Sequence, residues 1–328
     1  MVAYLIRRIL LMIPTIFAIS LVAFLIIQLP PGDFLDGMVS AMEADGNPMR
    51  AEMIAALRER YGLDQPVFVQ YWQWITGIVL RGDFGMSFEW RQPVQDLIWE
   101  RTGLTFLLSL LTLVFVWIVS FPIGVYSAVR RYSVGDYVAT FLGFIGLAIP
   151  NFLLALVLLF GAYKIFGVNL AGLFSREYEN APWSMGKVLD LMAHLWLPLI
   201  VLGSSGIASL FRIMRANLLD ELYKPYVVTA RAKGLPEWKL ILKYPVRVAL
   251  NPFVSTVGWV LPDLVSGAVI TAVVLNLPLT GPMLLRALQS QDMYLAGSFI
   301  LVLGVLTVIG TLISDILLAM LDPRIRYR

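Results

Sequence analysis

The length and composition of the chain exclude an ordinary soluble protein. Of its 328 residues, 59% are hydrophobic and 14% are charged, against roughly 45–50% and 25% in soluble domains, so the surplus apolar surface must face lipid. The chain has no cysteine and a single histidine, His194. This excludes disulfides and thiolate sites and leaves little for a histidine metal cluster or a Ser-His-Asp triad. The net charge of +3 is too small to indicate nucleic-acid binding.

Six apolar stretches are each long enough to cross a bilayer as a helix, which needs about 20 residues. The first follows Arg7 and Arg8. It begins like a signal peptide but is too long and lacks a small-x-small cleavage site, so we expect a retained anchor. In chain order the predicted spans are Ile9–Leu29, Gly103–Val129, Tyr137–Tyr163, Leu191–Phe211, Pro252–Leu277 and Met293–Leu321. The fold class predicted is all-α, a polytopic membrane protein with six transmembrane helices.

The basic residues predict the direction of these spans, because Lys and Arg collect on the cytoplasmic side of a membrane. More than half of the 25 basic residues lie on short segments that are cytoplasmic if the N-terminus is inside, among them Arg130, Arg131 and the cluster Arg212–Arg247. Both ends are therefore expected in the cytoplasm. The predicted regions are 1–29 (N-terminal segment and first span), 30–100 (periplasmic segment) and 101–328 (five-span core, with a cytoplasmic loop at 212–250).

The predicted periplasmic segment is too long to be a simple connector. Apolar residues at helical spacing predict an amphipathic helix over Met49–Tyr61, and Pro66 suits the first position of a second helix that ends near Leu80. Tyr71, Trp72 and Trp74 on this second helix are typical of a membrane interface. The segment is either a small cap packed on the spans or a docking surface for a partner.

The cytoplasmic loop is dense in charge and lies between two predicted spans. Leu218–Ala232 is predicted as one helix and Pro236–Leu250 as another, with Gly234 supplying a positive backbone torsion between them. Its apolar positions are expected to fit a groove on another protein. These positions include Tyr226, Val227, Ala230 and Leu235. The alternative is a solvated basic loop that only sets the topology.

The sequence of this loop resembles a motif of a known family. Tyr226–Leu235, which reads YVVTARAKGL, resembles the cytoplasmic EAA loop of ABC-importer permeases, in the variant found in the first ("B"-like) permease of the dipeptide/oligopeptide/nickel class. Aligned on Gly234, the general Glu-Ala-Ala pattern falls on Val228, Thr229 and Ala230, of which only the last agrees. Further stretches similar to that class are Tyr4–Arg8, Pro31–Asp33, Tyr61–Pro66, Gly82–Ser87, Ser266–Ile270 and Asp322–Arg326.

The resemblance implies a type I ABC-importer permease fold in the bacterial inner membrane. It also implies a second, homologous permease subunit, two cytoplasmic ATPase subunits that carry ATP and Mg, and a periplasmic solute-binding protein. No cofactor is implied in this chain, and no nucleic acid. The residues that would couple the permease to the ATPase are Tyr226, Thr229, Ala230, Arg231, Lys233, Gly234 and Leu235.

The sequence agrees with this division of labour. No lysine is followed by Ser or Thr, so a GxxxxGK[ST] phosphate loop is excluded. The chain is therefore not expected to be an enzyme, and energy must reach it through contacts with partner ATPases. A rigid coupling helix can transmit such a movement to the spans.

Asp263 is the first candidate for the solute pathway. A carboxylate in the middle of a span is costly unless it is paired or wet, so it marks a functional site by default. It could bind a solute amine or hydroxyl, or make a structural hydrogen bond inside the bundle. Ser255, Ser266 and Gly267 are small enough to line the same cavity or to allow close packing.

The function predicted is a permease subunit of a peptide importer. The stretch 271–282 resembles relatives often associated with oligosaccharides, so the same machinery carrying an oligosaccharide is the alternative. A secondary transporter driven by an ion gradient is less favoured, because it would need paired intramembrane acids and an inverted repeat. A membrane-embedded hydrolase would need a nucleophile and base, or metal ligands, that the composition hardly offers.

Overall fold

The computed structural model describes residues 2–28, 65–87, 89–179, 181–256 and 269–321. In these ranges the regular elements are helical, apart from one isolated β-bridge between Met86 and Pro93. The predicted helix Met49–Tyr61 lies outside the described residues. The first seven helices are α1 (Val2–Gln28), α2 (Val67–Thr76), α3 (Val94–Val129), α4 (Val134–Ala148), α5 (Asn151–Phe166), α6 (Met185–Leu222) and α7 (Pro225–Ala232). Then follow α8 (Glu237–Lys243), α9 (Pro245–Ala249), α10 (Asn251–Ser255), α11 (Val269–Val274), α12 (Thr280–Gln289) and α13 (Met293–Leu321).

Four of the described helices are long and apolar enough to cross a membrane, namely α1, α3, α6 and α13. The bent pair of α4 and α5 makes a fifth if it is counted as one span. The all-α expectation is thus confirmed over the described ranges. The predicted span Pro252–Leu277 falls partly on residues 257–268, outside the described residues, and is represented by α10 and α11.

The predicted third span, Tyr137–Tyr163, is wrong as a single straight helix. α4 and α5 meet at an angle of 103°, with Ile149 in extended conformation (φ −85°, ψ 121°). The cause is Pro150, which disfavours a helical conformation in the residue before it and has no N–H for the helical ladder. This apolar stretch is therefore a broken helix pair.

Three spans are longer than predicted, and α3 and α6 exceed their predicted lengths the most. α3 has 36 residues and α6 has 38, and at about 1.5 Å per residue each exceeds the roughly 30 Å of a bilayer core. Ser184 begins α6, because its side chain accepts a hydrogen bond from the Lys187 N–H at 3.2 Å. The apolar stretch Leu191–Phe211 is only the middle of this helix, which continues to Leu222. α6 is therefore longer than one crossing requires and continues up to the charged loop.

The chain folds into two compact units, a large unit of Thr105–Pro278 and Ile309–Arg328 and a small unit of Val2–Leu104 and Leu279–Val308. In the small unit α2 packs on α1 through aromatic rings. Phe24 lies 5.5 Å from Tyr71 and 5.8 Å from Trp74 between ring centroids, and Ser20 hydrogen bonds to the Tyr71 hydroxyl at 2.8 Å.

These contacts bear on the prediction that the aromatic residues of α2 lie at a membrane interface. Tyr71 and Trp74 are buried in the small unit, so the expectation that they occupy a membrane interface is wrong. Trp72 on the other face is 64% exposed and keeps that expectation. The packing supports the interpretation of α2 as a cap on the first span.

A buried carboxylate, Asp292, ties the 82–93 loop to the start of α13. Asp292 is fully buried and accepts hydrogen bonds from the Ser87 hydroxyl at 2.5 Å, from the Glu89 N–H at 3.2 Å and from the Leu295 N–H at 3.2 Å. Gly85 passes close beside Tyr294, since a Cβ there would lie 2.8 Å from the ring. The loop is therefore held by both hydrogen bonds and close packing.

Asp292→Ala is expected to destabilise the protein by about 2 kcal/mol, because it leaves buried donors without an acceptor. Thermal unfolding of the purified protein in detergent measures the loss. Asp96→Ala is the control, since that carboxylate is exposed in the first turn of α3. Equal losses for the two variants would contradict the role assigned to Asp292.

In the large unit α3 and α6 approach closely through glycine. A Cβ on Gly124 would lie 2.7 Å from Cβ of Met214, and one on Gly203 would lie 3.2 Å from the Val116 side chain. Small residues of this kind let the backbones of membrane helices come together, and the gain is in van der Waals contact. α3 is thereby pressed against the half of α6 that leads to the charged loop.

Gly124→Leu is expected to destabilise the protein by about 2 kcal/mol through overpacking, because the nearest atom is the Cβ of Met214 and cannot swing away. Gly161→Leu in α5 is the matched control, since no atom lies within 4 Å of a Cβ there. Melting temperatures in detergent compare the two variants. If Gly161→Leu lowered the melting temperature as much, close packing at Gly124 would not be the cause.

Candidate functional site

The charged loop contains more breaks than predicted. Leu218–Ala232 is wrong as one helix, because α6 ends at Leu222 and α7 begins at Pro225 after Lys224 in extended conformation (φ −67°, ψ 147°). Pro236–Leu250 is also wrong as one helix, since α8 and α9 are separated at Tyr244 (φ −113°, ψ −76°). Both breaks stand directly before a proline, which disfavours a helical conformation in the preceding residue. The loop is a chain of three short helices, which we call the α7–α9 segment.

The inner face of the α7–α9 segment packs on the chain's own helices. Val227 and Leu240 are fully buried, and Ala230 is 8% exposed. They belong to one apolar cluster with Met214 and Leu218 of α6, and Leu235 is partly buried against it. The expectation that Val227 and Ala230 fit a partner's groove is therefore wrong, because α6 and its neighbours already cover them.

The outer face of α7 is accessible and mostly polar. Thr229, Arg231 and Lys233 are exposed, and Tyr226 is 40% exposed. The Tyr226 hydroxyl donates a hydrogen bond to the Glu221 carboxylate at 2.5 Å. Burial and this hydrogen bond raise the pKa of Tyr226 above its ordinary value. Tyr226 thus fixes the orientation of α7 relative to the end of α6.

The turn after α7 has the geometry predicted for Gly234. Its φ is +76°, in the left-handed region that glycine adopts freely, and its N–H donates to the Arg231 carbonyl at 3.0 Å. Arg231 reaches across the turn to Glu237 with two hydrogen bonds, at 3.1 Å and 2.5 Å. These bonds close the α7–α8 hairpin and hold the pKa of Glu237 below its ordinary value.

Glu237→Gln is expected to loosen the hairpin at neutral pH and to change nothing in acid. A carboxyl group with a lowered pKa stabilises the fold above its unfolded pKa of about 4.3, and this contribution is lost as pH falls through the folded pKa. Hydrogen exchange at Lys233 and Gly234, compared between the variant and the unmodified chain at each pH, measures the effect. Asp220→Asn, at an exposed carboxylate, should leave this exchange unchanged at every pH.

A second ion pair, which sequence reasoning missed, joins the base of α6 to α4. Arg215 donates two hydrogen bonds to the Asp136 carboxylate, both at 2.8 Å, and the Asp136 side chain is only 3% exposed. The same carboxylate accepts the Tyr132 N–H at 2.9 Å. The bidentate pair therefore ties α6 to the α3–α4 turn, seven positions before α6 ends.

Of the residues predicted for the solute pathway, the structure describes only Ser255. It is exposed, its hydroxyl donates to the Pro252 carbonyl at 2.7 Å, and the Ser314 hydroxyl of α13 approaches its carbonyl at 3.4 Å. Asp263, Ser266 and Gly267 lie outside the described residues. Within the described ranges no group of three His, Asp or Glu side chains could hold a metal ion.

Comparison with known proteins defines the class to which this architecture belongs. Residues 120–327 match the family described as the binding-protein-dependent transport system inner membrane component. Residues 1–110 match the N-terminal part of such membrane components. The chain belongs to this family and is a multi-pass protein of the bacterial inner membrane. It is a permease component of such a transport system.

Individual relatives match along the whole chain. The oligopeptide transport system permease protein AppB of Bacillus subtilis (strain 168) is 37% identical over 328 residues, covering 100% of both chains. The dipeptide transport system permease protein DppB of Escherichia coli (strain K12) is 32% identical over 349 aligned positions, again covering 100% of both. The glutathione transport system permease protein GsiC of the same strain is 32% identical over 328 residues. The resemblance to ABC-importer permeases of the peptide class is confirmed.

Proposed function

We propose that this chain is one of two permease subunits that form the pathway of an ATP-driven importer for peptide-type solutes. The observation that carries the proposal is the match, over the whole chain, to permeases named for oligopeptides, dipeptides and glutathione. The match covers 100% of this chain and 100% of the AppB and DppB chains. The solute would be delivered by a periplasmic binding protein.

The proposed partners are a second homologous permease and two cytoplasmic ATPase subunits that bind ATP and Mg. The chain has no phosphate-binding loop of its own, which supports this arrangement. Membrane lipid surrounds the assembly, in keeping with the many exposed apolar side chains of α1, α3, α4 and α5.

The coupling element is proposed to be α7 with the turn that follows it. Its outer face offers Tyr226, Thr229, Arg231 and Lys233 to an ATPase, while Ala230 and Leu235 hold its back against the apolar cluster. Gly234 sets the sharp end of the helix. Because α6 runs from the membrane almost to Pro225, a push on α7 is transmitted directly to a spanning helix.

The proposed topology has six spans with both termini in the cytoplasm. The regions 1–29, 30–100 and 101–328 are then the first span, the periplasmic segment and the permease core, with the loop 212–250 inside. The concentration of Lys and Arg on one set of loops supports this orientation. In the core, Asp263, Ser255, Ser266 and Gly267 are proposed to border the pathway.

The substrate class is tested with the complete transporter in proteoliposomes. ATP hydrolysis is measured after adding the cognate binding protein loaded with short peptides or with oligosaccharides, each at saturation. The expected result is stimulation by the peptide-loaded form. Stimulation by oligosaccharides alone would replace the peptide assignment. Uptake driven by a proton gradient in the absence of the ATPase subunits would overturn the importer itself.

A further inference from the structure

The outer side of α8 differs chemically from that of α7. Trp238 is 63% exposed and Leu242 is 50% exposed, and their spacing of four residues places them on one face of the helix. Lys239 and Lys243 repeat the same spacing one position later, so the two lysines border the apolar pair. The Lys239 ammonium lies 5.3 Å from the centroid of the Trp238 ring. α8 therefore presents an apolar stripe edged by cations.

The same character continues into α9. Val248 is 46% exposed and Arg247 beside it is exposed. From Trp238 to Ser255 the sequence contains no acidic residue, and Glu237, just before, is paired with Arg231. This surface is thus apolar and uniformly positive.

The position of α9 places this surface near the boundary of the bilayer. Val246 and Ala249 belong to the same apolar cluster as Ala128 in the last turn of α3. Arg130 and Arg131 follow α3 directly, and such a pair marks the level of the headgroups. Val246 and Ala249 therefore pack in a cluster that reaches the end of α3 next to these arginines.

α10 follows α9 almost directly and begins the fifth predicted span. Phe253 of α10 lies 6.1 Å from Trp117 and 6.3 Å from Phe121 of α3 between ring centroids. Those two residues belong to the apolar part of α3. α8 and α9 are therefore the last elements before the fifth predicted span.

We propose that the outer face of α8 and α9 binds the cytoplasmic surface of the bilayer through anionic phospholipid headgroups. Tryptophan is favoured at the membrane interface, and the leucine beside it enters the acyl boundary. Lysine keeps its ammonium among phosphates while its stem covers apolar surface. Binding to lipid would hold α8 and α9 in place at the C-terminal side of α7. A movement of the ATPase that shifts α7 would then be passed to α6. The proposal depends on the orientation given under Proposed function.

Single-cysteine labelling tests this proposal, because the chain has no cysteine of its own. A fluorophore is attached to Leu242→Cys and, as the matched control, to Val228→Cys on the outer face of α7, since the two native side chains are 50% and 54% exposed. The complete transporter is reconstituted in nanodiscs that contain lipid with a doxyl quencher near the headgroup. Quenching is expected to be roughly twofold or more stronger at 242, because only that face lies on the lipid.

The dependence on lipid charge and the orientation are measured separately. The quenching at 242 should weaken when phosphatidylcholine alone replaces an equal mixture with phosphatidylglycerol, and it should weaken likewise in Lys239→Gln/Lys243→Gln. Equal quenching at 242 and 228 would overturn the lipid contact. So would a label at 242 that is protected from solvent by the ATPase subunits and not by lipid. Lys239→Cys replaces Leu242→Cys if that variant does not assemble. Reaction of Val228→Cys with a membrane-impermeant thiol reagent reports the orientation independently.

Discussion

Gly234→Val is expected to abolish most solute-stimulated ATP hydrolysis while the spans still insert and the subunits still assemble. Gly234 has a φ of +76°, and a side chain in this left-handed conformation costs about 1–2 kcal/mol. No atom lies within 4 Å of a Cβ at this position, so the substitution acts on the backbone alone. The expected relaxation changes the angle between α7 and α8 and moves Lys233 and Thr229 out of the proposed contact with the ATPase.

Gly167 offers a control with the same backbone geometry elsewhere. It follows α5 with a φ of +67°, and a Cβ there also meets no atom within 4 Å. Gly167→Val should lose similar stability yet keep its stimulated ATPase activity. Gly234→Asn should retain coupling, because asparagine tolerates the left-handed region. If Gly167→Val and Gly234→Val lost solute-stimulated ATP hydrolysis equally, general backbone strain would explain the result. The turn at Gly234 would then have no special role in coupling.

The sequence predicts the helical class and the position of this turn because both depend on local chemistry. Apolar stretches identify the parts of α3, α6 and α13 that lie in lipid, and glycine before a proline identifies the end of α7. The start of α3 and both ends of α6 are missed because the helix there is more polar, so hydropathy no longer distinguishes it. The bend at Pro150 was detectable, since the proline stands in the middle of the predicted third span.

Which residues of the α7–α9 segment are buried and which are exposed is harder to predict. Helical spacing groups Val227 and Ala230 on one face but does not tell whether the same chain or a partner covers it. The structure places both against Met214 and Leu218 of α6. Trp238 then becomes the notable exposed side chain, although its sequence context gives no indication of this.

Contacts between distant segments are the part that one sequence cannot supply. Ser87 and Asp292 are 205 positions apart, and Asp136 and Arg215 are 79 apart. The sequence shows which residues carry acidic, basic or hydroxyl side chains. Which of them pair depends on how the helices pack. The first link fixes a loop of the small unit, and the second fixes the base of α6, just before the proposed coupling element.

Asp136→Asn is expected to destabilise the protein by about 3 kcal/mol. Removing one partner of a buried pair leaves the other charge uncompensated, at a cost of 3–5 kcal/mol, and the 26% exposure of the Arg215 side chain places this pair at the lower end. Asp136 also accepts the Tyr132 N–H in the α3–α4 turn. The variant should therefore loosen the first turn of α4 from α6 and lower the melting temperature of the purified complex.

A second measurement tests whether the pair also has a mechanical role that is separate from stability. Asp136→Leu/Arg215→Met replaces the ions with apolar groups, and such replacements of buried pairs are often neutral. We expect this double variant to recover stability but to transmit the movement of α7 less well, because packing allows sliding where two directed hydrogen bonds do not. Asp220→Asn, which removes an exposed carboxylate from the same helix, should change neither property. Full coupling in the stable double variant would show that the ion pair serves the fold alone.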